Sequence, residues 1–353
     1  MRRLLILLLA VASLGLVARG AIPCDALAAQ PACTAALRPG PAETTYGSVQ
    51  VDGVPTFSSA GELVLTTVRV DINVDFGEWI RNALDPRIDQ MQRSLFILPE
   101  EDAEDAEQRN QLAMDQSQLV AALAALRSLG FQAPVGAEVV EVVAASAAAQ
   151  AGLQPGDIVI GLAGAAIDSA SVLVEAVQQH AVGDRVQVVF VRAGEQQQVE
   201  VTLGELPADV QEGGGPSLGV RVQDALPVDV TIDAGAIGGP SAGLMFALTV
   251  IDLLGEDDLT GGMVIAGTGT ITADGEVGPI GGIRQKILGA LHREQGRPAA
   301  VFLVPADNFD EARTAPVDSR ILLVPVATLQ DALEALTELR AGREPAAALA
   351  LGG

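Results

Sequence analysis

The run Gln211-Glu212-Gly213-Gly214-Gly215-Pro216 cuts this chain in two. Consecutive glycines lose the most backbone entropy on ordering, and the proline that follows has no N–H for a helix or a sheet ladder. The segment reads as a flexible hinge, so the 353 residues are expected to fold around more than one core, for which that length suffices. Before the hinge, strand-like alternation dominates. Beyond it, residues 218–340 mix strands and helices in an α+β or α/β manner, and 341–353, rich in Ala and Gly, read as a flexible tail. A formal charge of −24 with no basic stripe to offset it argues against a nucleic-acid partner.

The first residues read as an export signal. Met1-Arg2-Arg3 is a charged start and Leu4–Ala18 an apolar stretch of about fifteen residues, short for a membrane span and of secretory length. A cleaved signal peptide and an uncleaved anchor over residues 1–21 both stay open. Either places the remainder outside, secreted or held at the outer face of the cell membrane. Cys24 and Cys33, the only cysteines, could pair in an oxidising compartment or stay idle in a flexible leader.

Residues 22–130 read as a β-rich region with a helix near 108–129, where Leu112, Leu119, Leu123 and Leu126 recur at helical spacing. The alternation of Leu63-Val64-Leu65-Thr66-Thr67-Val68-Arg69-Val70 predicts a strand. The acidic run Glu100–Asp105 is a solvated turn or a helix start, because it lacks the spaced ligands of a metal loop. Residues 131–206 alternate strands with one helix: a strand Glu138–Val143, the turn in Ala151-Gly152-Leu153-Gln154-Pro155-Gly156-Asp157, a helix Ser171–His180 and a strand Val186–Val191. Residues 207–217 form the linker.

Chemistry concentrates beyond the linker. Of 21 basic residues, all but Lys286 are arginine. Arginine does not give up its proton in a protein, whereas a buried lysine amine can. Replacement of lysine by arginine across a GC-rich genome would leave one lysine by chance, so context decides. Lys286 follows Gly281-Gly282 on a helix whose apolar stripe is Ile283, Ile287, Ala290 and Leu291, and it falls at the margin of that stripe. Partial burial there would lower its pKa. Upstream, Gly238-Gly239-Pro240-Ser241-Ala242-Gly243 puts a serine among small residues at the start of the apolar helix Leu244–Leu254, where backbone N–H groups of Gly238, Gly239 and Ser241 could face an oxyanion. Serine with an unprotonated lysine makes a nucleophile without histidine. His180 and His292 fall in no triad or metal-ligand spacing, and no metal or other cofactor is implied.

Two families are resembled. The AGLQPGDIV string and the order of elements over 131–206 resemble a bacterial PDZ domain, a partly open β-barrel with a helix that holds a peptide as an added strand. That resemblance implies a groove lined by the strand Glu138–Val143 and the helix Ser171–His180, with Gly136, Val139, Val140, Val172 and Val177 as peptide-binding residues and the carboxylate loop near Phe131–Gly136. Gln132-Ala133-Pro134-Val135-Gly136 departs from the usual glycine-hydrophobic loop, so an internal segment is as open as a free C-terminus.

Residues 218–326 resemble the proteolytic domain of the Lon family, type S16. Its PSAG serine falls on Ser241, the lysine of its GG-hydrophobic-x-x-K motif on Lys286, and its TG threonine on Thr268, which in that family helps orient the lysine. Gly238 stands where many Lon proteases carry an acid, and Thr270 replaces a glutamate after the TG. The whole chain is most similar to the YlbL-like PDZ-Lon serine proteases. The implied architecture is multidomain α+β, a PDZ domain followed by a Lon-type α/β proteolytic domain. The implied activity is Ser-Lys endopeptidase action on protein or peptide substrates, in a chain that could form a homo-oligomeric ring. No G-x-x-x-x-G-K-[ST] motif exists where the sole lysine is Lys286, so ATP-driven unfolding is not expected of this polypeptide. The competing expectations are a catalytically silent PDZ scaffold at the membrane and a protein that cleaves only itself.

Overall fold

The computed structural model describes residues 31–98, 101–132, 135–205 and 214–352. The export signal and Cys24 lie outside the described residues; Cys33 is disulfide-bonded. The chain divides into two compact units, one formed by the part up to Ser128 together with Val230 onward, the other by Leu129–Asp229. The serial order expected from the sequence is corrected by this division. The middle unit is an insertion, and the β-rich N-terminal region belongs with the C-terminal part.

The outer unit begins with β1 (Thr34–Thr44), β2 (Val49–Asp52), β3 (Glu62–Asp71), α1 (Phe76–Leu84), β4 (Asp89–Gln92) and the long α2 (Ala103–Ser128). The inserted unit holds β5 (Ala137–Val142), α3 (Ala147–Ala151), β6 (Ile158–Leu162), β7 (Ala165–Ala166), α4 (Ala170–Gln178), β8 (Arg185–Arg192), β9 (Glu195–Thr202), β10 (Gly204–Glu205), β11 (Pro216–Ser217) and β12 (Val220–Asp224). The outer unit resumes with β13 (Asp229–Ile232), α5 (Gly243–Leu254), β14 (Val264–Gly267), β15 (Thr270–Ile271), β16 (Val277–Gly278), α6 (Ile283–Leu291), β17 (Val301–Pro305), α7 (Phe309–Ala312), β18 (Ile321–Val326), α8 (Leu329–Arg340) and β19 (Leu349–Leu351).

Among the described residues, seven strands of the outer unit form one sheet in the order β19-β18-β17-β14-β3-β1-β4. β14, β17 and β18 run parallel, and β3 adds parallel to β14 from Val264↔Glu62 to Gly267↔Leu65. Leu63, Val64, Leu65, Ile265 and Ala266 are all buried, as strands covered on both faces must be. Without β3, β14 would present a bare edge, which explains why the N-terminal strands fold here and not apart. The expected tail is corrected in the same way, since β19 pairs antiparallel with β18 at Ile321↔Leu351. The described part of the acidic run, Glu101–Asp105, leads into a helix: the Asp102 carboxylate accepts the N–H groups of Glu104 and Asp105 at 2.8 and 3.0 Å. Helix α5 is buried from Gly243 to Asp252. Asp252 accepts the hydroxyls of Tyr46 and Ser59 and, at 2.7 Å, the N–H of Leu259. Burial and the adjacent carboxylate hold the Tyr46 phenol above its ordinary pKa, so it stays a neutral donor that ties the β1–β2 turn to α5.

The inserted unit is a sheet in the order β12-β5-β6-β8-β9, with β7 on β6, packed around Val139, Val159, Leu173, Val188 and Phe190. The buried Asp157 closes its turn by accepting the Gln154 N–H at 2.8 Å and both Arg192 nitrogens at 2.6 Å.

Candidate active site

Ser241 lies in the tight turn Pro240–Ala242 that leads into α5. Proline suits the first position, where its missing N–H costs nothing. The Ser241 carbonyl accepts the Gly269 N–H at 2.8 Å and the Thr268 hydroxyl at 2.9 Å. On the other side of the turn, the Pro240 carbonyl accepts the Ser117 hydroxyl at 3.0 Å, and the Gly239 N–H donates to the Asn110 carbonyl at 2.8 Å. This last contact corrects one expectation, because an amide already engaged is not a free oxyanion donor. Outside the turn itself, no backbone carbonyl among the described residues engages the amide of Gly238 or Ser241.

Lys286 is carried by α6, which starts after Gly282. Gly282 has φ +70, and a Cβ there would sit 2.7 Å from Val68 Cγ1, so only glycine lets α6 lie this close to β3. Lys286 is 2% exposed, beside the fully buried Ile283, Ile287 and Ala290. The partial burial read from the helix stripe is therefore an underestimate: β1 and β3 pack against α6 and complete the cover. Nζ of Lys286 lies 2.6 Å from Ser241 Oγ and 2.9 Å from Thr268 Oγ1. Burial strips water from the ammonium and pulls its pKa from 10.5 down to about 7. A neutral amine here can accept the Ser241 proton while donating to Thr268. Thr268, 1% exposed, spends its own hydrogen on the Ser241 carbonyl and so bridges the two. Thr270 stands in β15 opposite Gly278. Arg284 points to Asp89 at 2.7 Å, away from Lys286's partners. Asn308 pins the loop before α6 by accepting the Ile280 N–H at 2.8 Å and donating to its carbonyl at 3.0 Å.

These groups open into a cleft of 870 Å³ whose walls are mainly apolar, with Leu37, Val70, Ile72, Leu95, Phe96 and Ile237 among them. One wall is a strand edge. β14 pairs with β3 only as far as Leu65, whereas β1 follows β3 to Asp71. Thr66–Val70 therefore line the cleft with no strand beyond them on that side among the described residues. His292 Nε2 meets Asp318 at 3.1 Å and His180 lies 3.7 Å from Asp184, both as surface pairs. Among the described residues no cluster of three or more His, Cys, Asp or Glu is placed to hold a metal ion.

The strand expected to line a peptide groove is not an open edge. β5, with Val139 in the core and Val140 on the surface, has β12 on one edge and β6 on the other, so it cannot accept another strand. Gly136 is likewise engaged, its carbonyl accepting the Ala225 N–H at 2.9 Å. The edge strand is β12, and a groove of 410 Å³ runs between β11–β12 and α4, lined by Leu173, Val174, Val177, Leu218, Val220 and Val222. Of the expected residues Val177 lines it; Val172 packs against the core of the unit. Leu218-Gly219-Val220 is the glycine-between-apolar signal that could have located it. Gly219 has φ +74, and a Cβ there would come within 2.2 Å of Ser146 Cβ, so the turn into β12 requires glycine.

Comparison with known proteins gives two family matches. Residues 106–203 match the PDZ domain, and residues 217–338 match the Lon protease (S16) C-terminal proteolytic domain. Lon protease 1 of Sorangium cellulosum is 38% identical over 142 residues, covering 38% of this chain and 16% of its own. A DegP-like periplasmic serine endoprotease of Halomonas elongata is 36% identical over 92 residues, covering 26% of this chain and 19% of its own. This chain thus spans under a fifth of the length of these relatives. Among solved structures, the PDZ domain of an SdrC-like protein of Listeria monocytogenes is 23% identical with a TM-score of 0.23, covering 25% of this chain and 87% of its own.

Proposed function

We propose that this chain, which belongs to the PDZ-Lon proteins because it joins a PDZ domain to a Lon (S16) proteolytic domain, is an ATP-independent serine endopeptidase with a Ser-Lys dyad. The observation that carries the reading is the buried Lys286 amine 2.6 Å from Ser241 Oγ. Neutral Lys286 takes the Ser241 proton as the oxygen attacks the scissile carbonyl. The amides of Ser241 and Gly238 stabilise the oxyanion, and Lys286 returns the proton to the leaving amine. Water, deprotonated by the same amine, then hydrolyses the acyl-enzyme. Thr268 keeps the amine on Ser241 and is a positioning residue.

The open edge of β3 beside Ser241 favours an extended substrate backbone, which adds as a strand and places its carbonyl at the nucleophile. A folded protein exposes few such segments. Without an unfoldase, substrates are therefore unfolded or flexible chains, and the groove beside β12 selects or presents them. The charged and apolar residues 1–21 support export; among the described residues no helix is long and apolar enough to cross a membrane.

The test is incubation with an unfolded protein in the absence of nucleotide, together with a fluorophosphonate probe. Cleavage and a covalent adduct on Ser241 are expected. A chain that neither cleaves nor takes the label is a peptide-holding protein. Cuts confined to the chain itself, seen by mass spectrometry, would indicate self-processing instead. Two variants refine the reading. Thr268→Val should lower kcat about tenfold, and it should move the pH midpoint of activity downward, because the ammonium loses an acceptor that favours it. Val174→Glu, which puts a charge in the apolar groove, should raise KM for an unfolded protein about tenfold without changing kcat on a short peptide.

A further inference from the structure

We propose that Ser117 of α2 is a positioning residue of the oxyanion site, whose hydroxyl aims the Ser241 N–H at the developing negative charge. This rests on the serine-peptidase reading above. The Ser117 hydroxyl donates to the Pro240 carbonyl at 3.0 Å. That carbonyl and the Ser241 N–H belong to one planar peptide, in which a trans geometry points them in opposite directions. Fixing the oxygen toward α2 therefore turns the N–H away from α2. An N–H whose own peptide oxygen accepts a hydrogen bond is also the more polarised donor.

Three features show that this contact is specific. Ser117 is 7% exposed, and a serine in mid-helix ordinarily bonds back to its own helix or faces water. Here it reaches across to the nucleophile turn. Its oxygen would lie 2.9 Å from a Cβ at position 243, so the turn approaches α2 closely only because Gly243 has none. The peptide that follows Ser241 is held separately, its carbonyl accepting from Thr268 and Gly269. Ser117 thus controls the plane before the nucleophile, whereas Thr268 and Gly269 control the plane after it and Lys286 holds the side chain. Loss of the Ser117 hydroxyl loosens the oxyanion donor and leaves the dyad in place.

The test is Ser117→Ala in the full chain. We expect kcat on a peptide substrate to fall about tenfold, with KM and the pH midpoint of activity as in the wild type. A substrate-like peptide aldehyde, whose hemiacetal oxygen occupies the oxyanion position, should lose about the same factor in affinity, while the matching carboxamide, which forms no adduct, should lose none. Thermal unfolding reports whether the variant is folded. If it is not, Ser117→Cys fills the same space with a weaker donor and should give a smaller loss in kcat alone. Unchanged kcat, or a loss accompanied by higher KM and a moved pH midpoint, overturns the assignment and leaves Ser117 as packing. A wild-type chain that does not cleave refutes the peptidase reading itself, which is a different result.

Discussion

Replacing Lys286 by arginine, the nearest basic side chain, should lower kcat by on the order of 10³–10⁴. The guanidinium has no lone pair to offer at any working pH, and a planar fork does not fit a site that closes on a single nitrogen 2.6 and 2.9 Å from two hydroxyls. Ser241→Ala should cost at least as much. The double variant should be no worse than the serine variant, because the amine acts only through that oxygen. Initial rates on an unfolded protein, with each variant checked for a native unfolding transition, give the comparison. Lys286→Arg activity within tenfold of the wild type would remove the base from the mechanism.

The second large effect is on pH. With the amine titrating at about 7, the reactive neutral form is about one hundredth of the enzyme two units below that point, so cleavage should fall about a hundredfold from pH 8 to pH 5. The same shift has a stability consequence whose sign is fixed. The folded-state pKa lies below the unfolded value of 10.5, so between about 7 and 10.5 the unfolded chain binds more protons and stability rises with pH. Below pH 7 the full penalty of burying a charge is present. Lys286→Met should accordingly raise Tm by several degrees at pH 6, with the gain shrinking toward pH 10. A gain that is constant across this range, or a loss at pH 6, would mean that the lysine is not held against its charge.

The residues of the candidate site were legible because each sits in a short motif whose spacing survives without knowledge of the fold. Ser241 follows Gly-Gly-Pro, Thr268 directly follows a strand, and Lys286 follows Gly-Gly on a helix. The completeness of the Lys286 burial was not legible. Its burial depends on β3, which joins β14 from far along the chain, and on β1, which pairs with β3, and register between distant strands leaves no local pattern. The insertion hid the rest. The hinge that reads as a domain boundary is followed by β12, which returns to complete the middle unit's sheet, so the sequence pattern points to β5 as the open strand although β5 is interior. Helical spacing found α2 but could not say that Asn110 and Ser117 on it grip the nucleophile turn, since periodicity identifies a buried face and not what that face meets.

The rate at which Ser241 of the wild-type chain is phosphonylated by a fluorophosphonate probe, with loss of fluoride, followed from pH 5 to pH 10, tests the neutral amine without interference from deacylation. The account predicts a tenfold rise per pH unit at the acid end, one midpoint near 7 and a plateau above it. A midpoint near the ordinary lysine value, or a rate independent of pH, would contradict it.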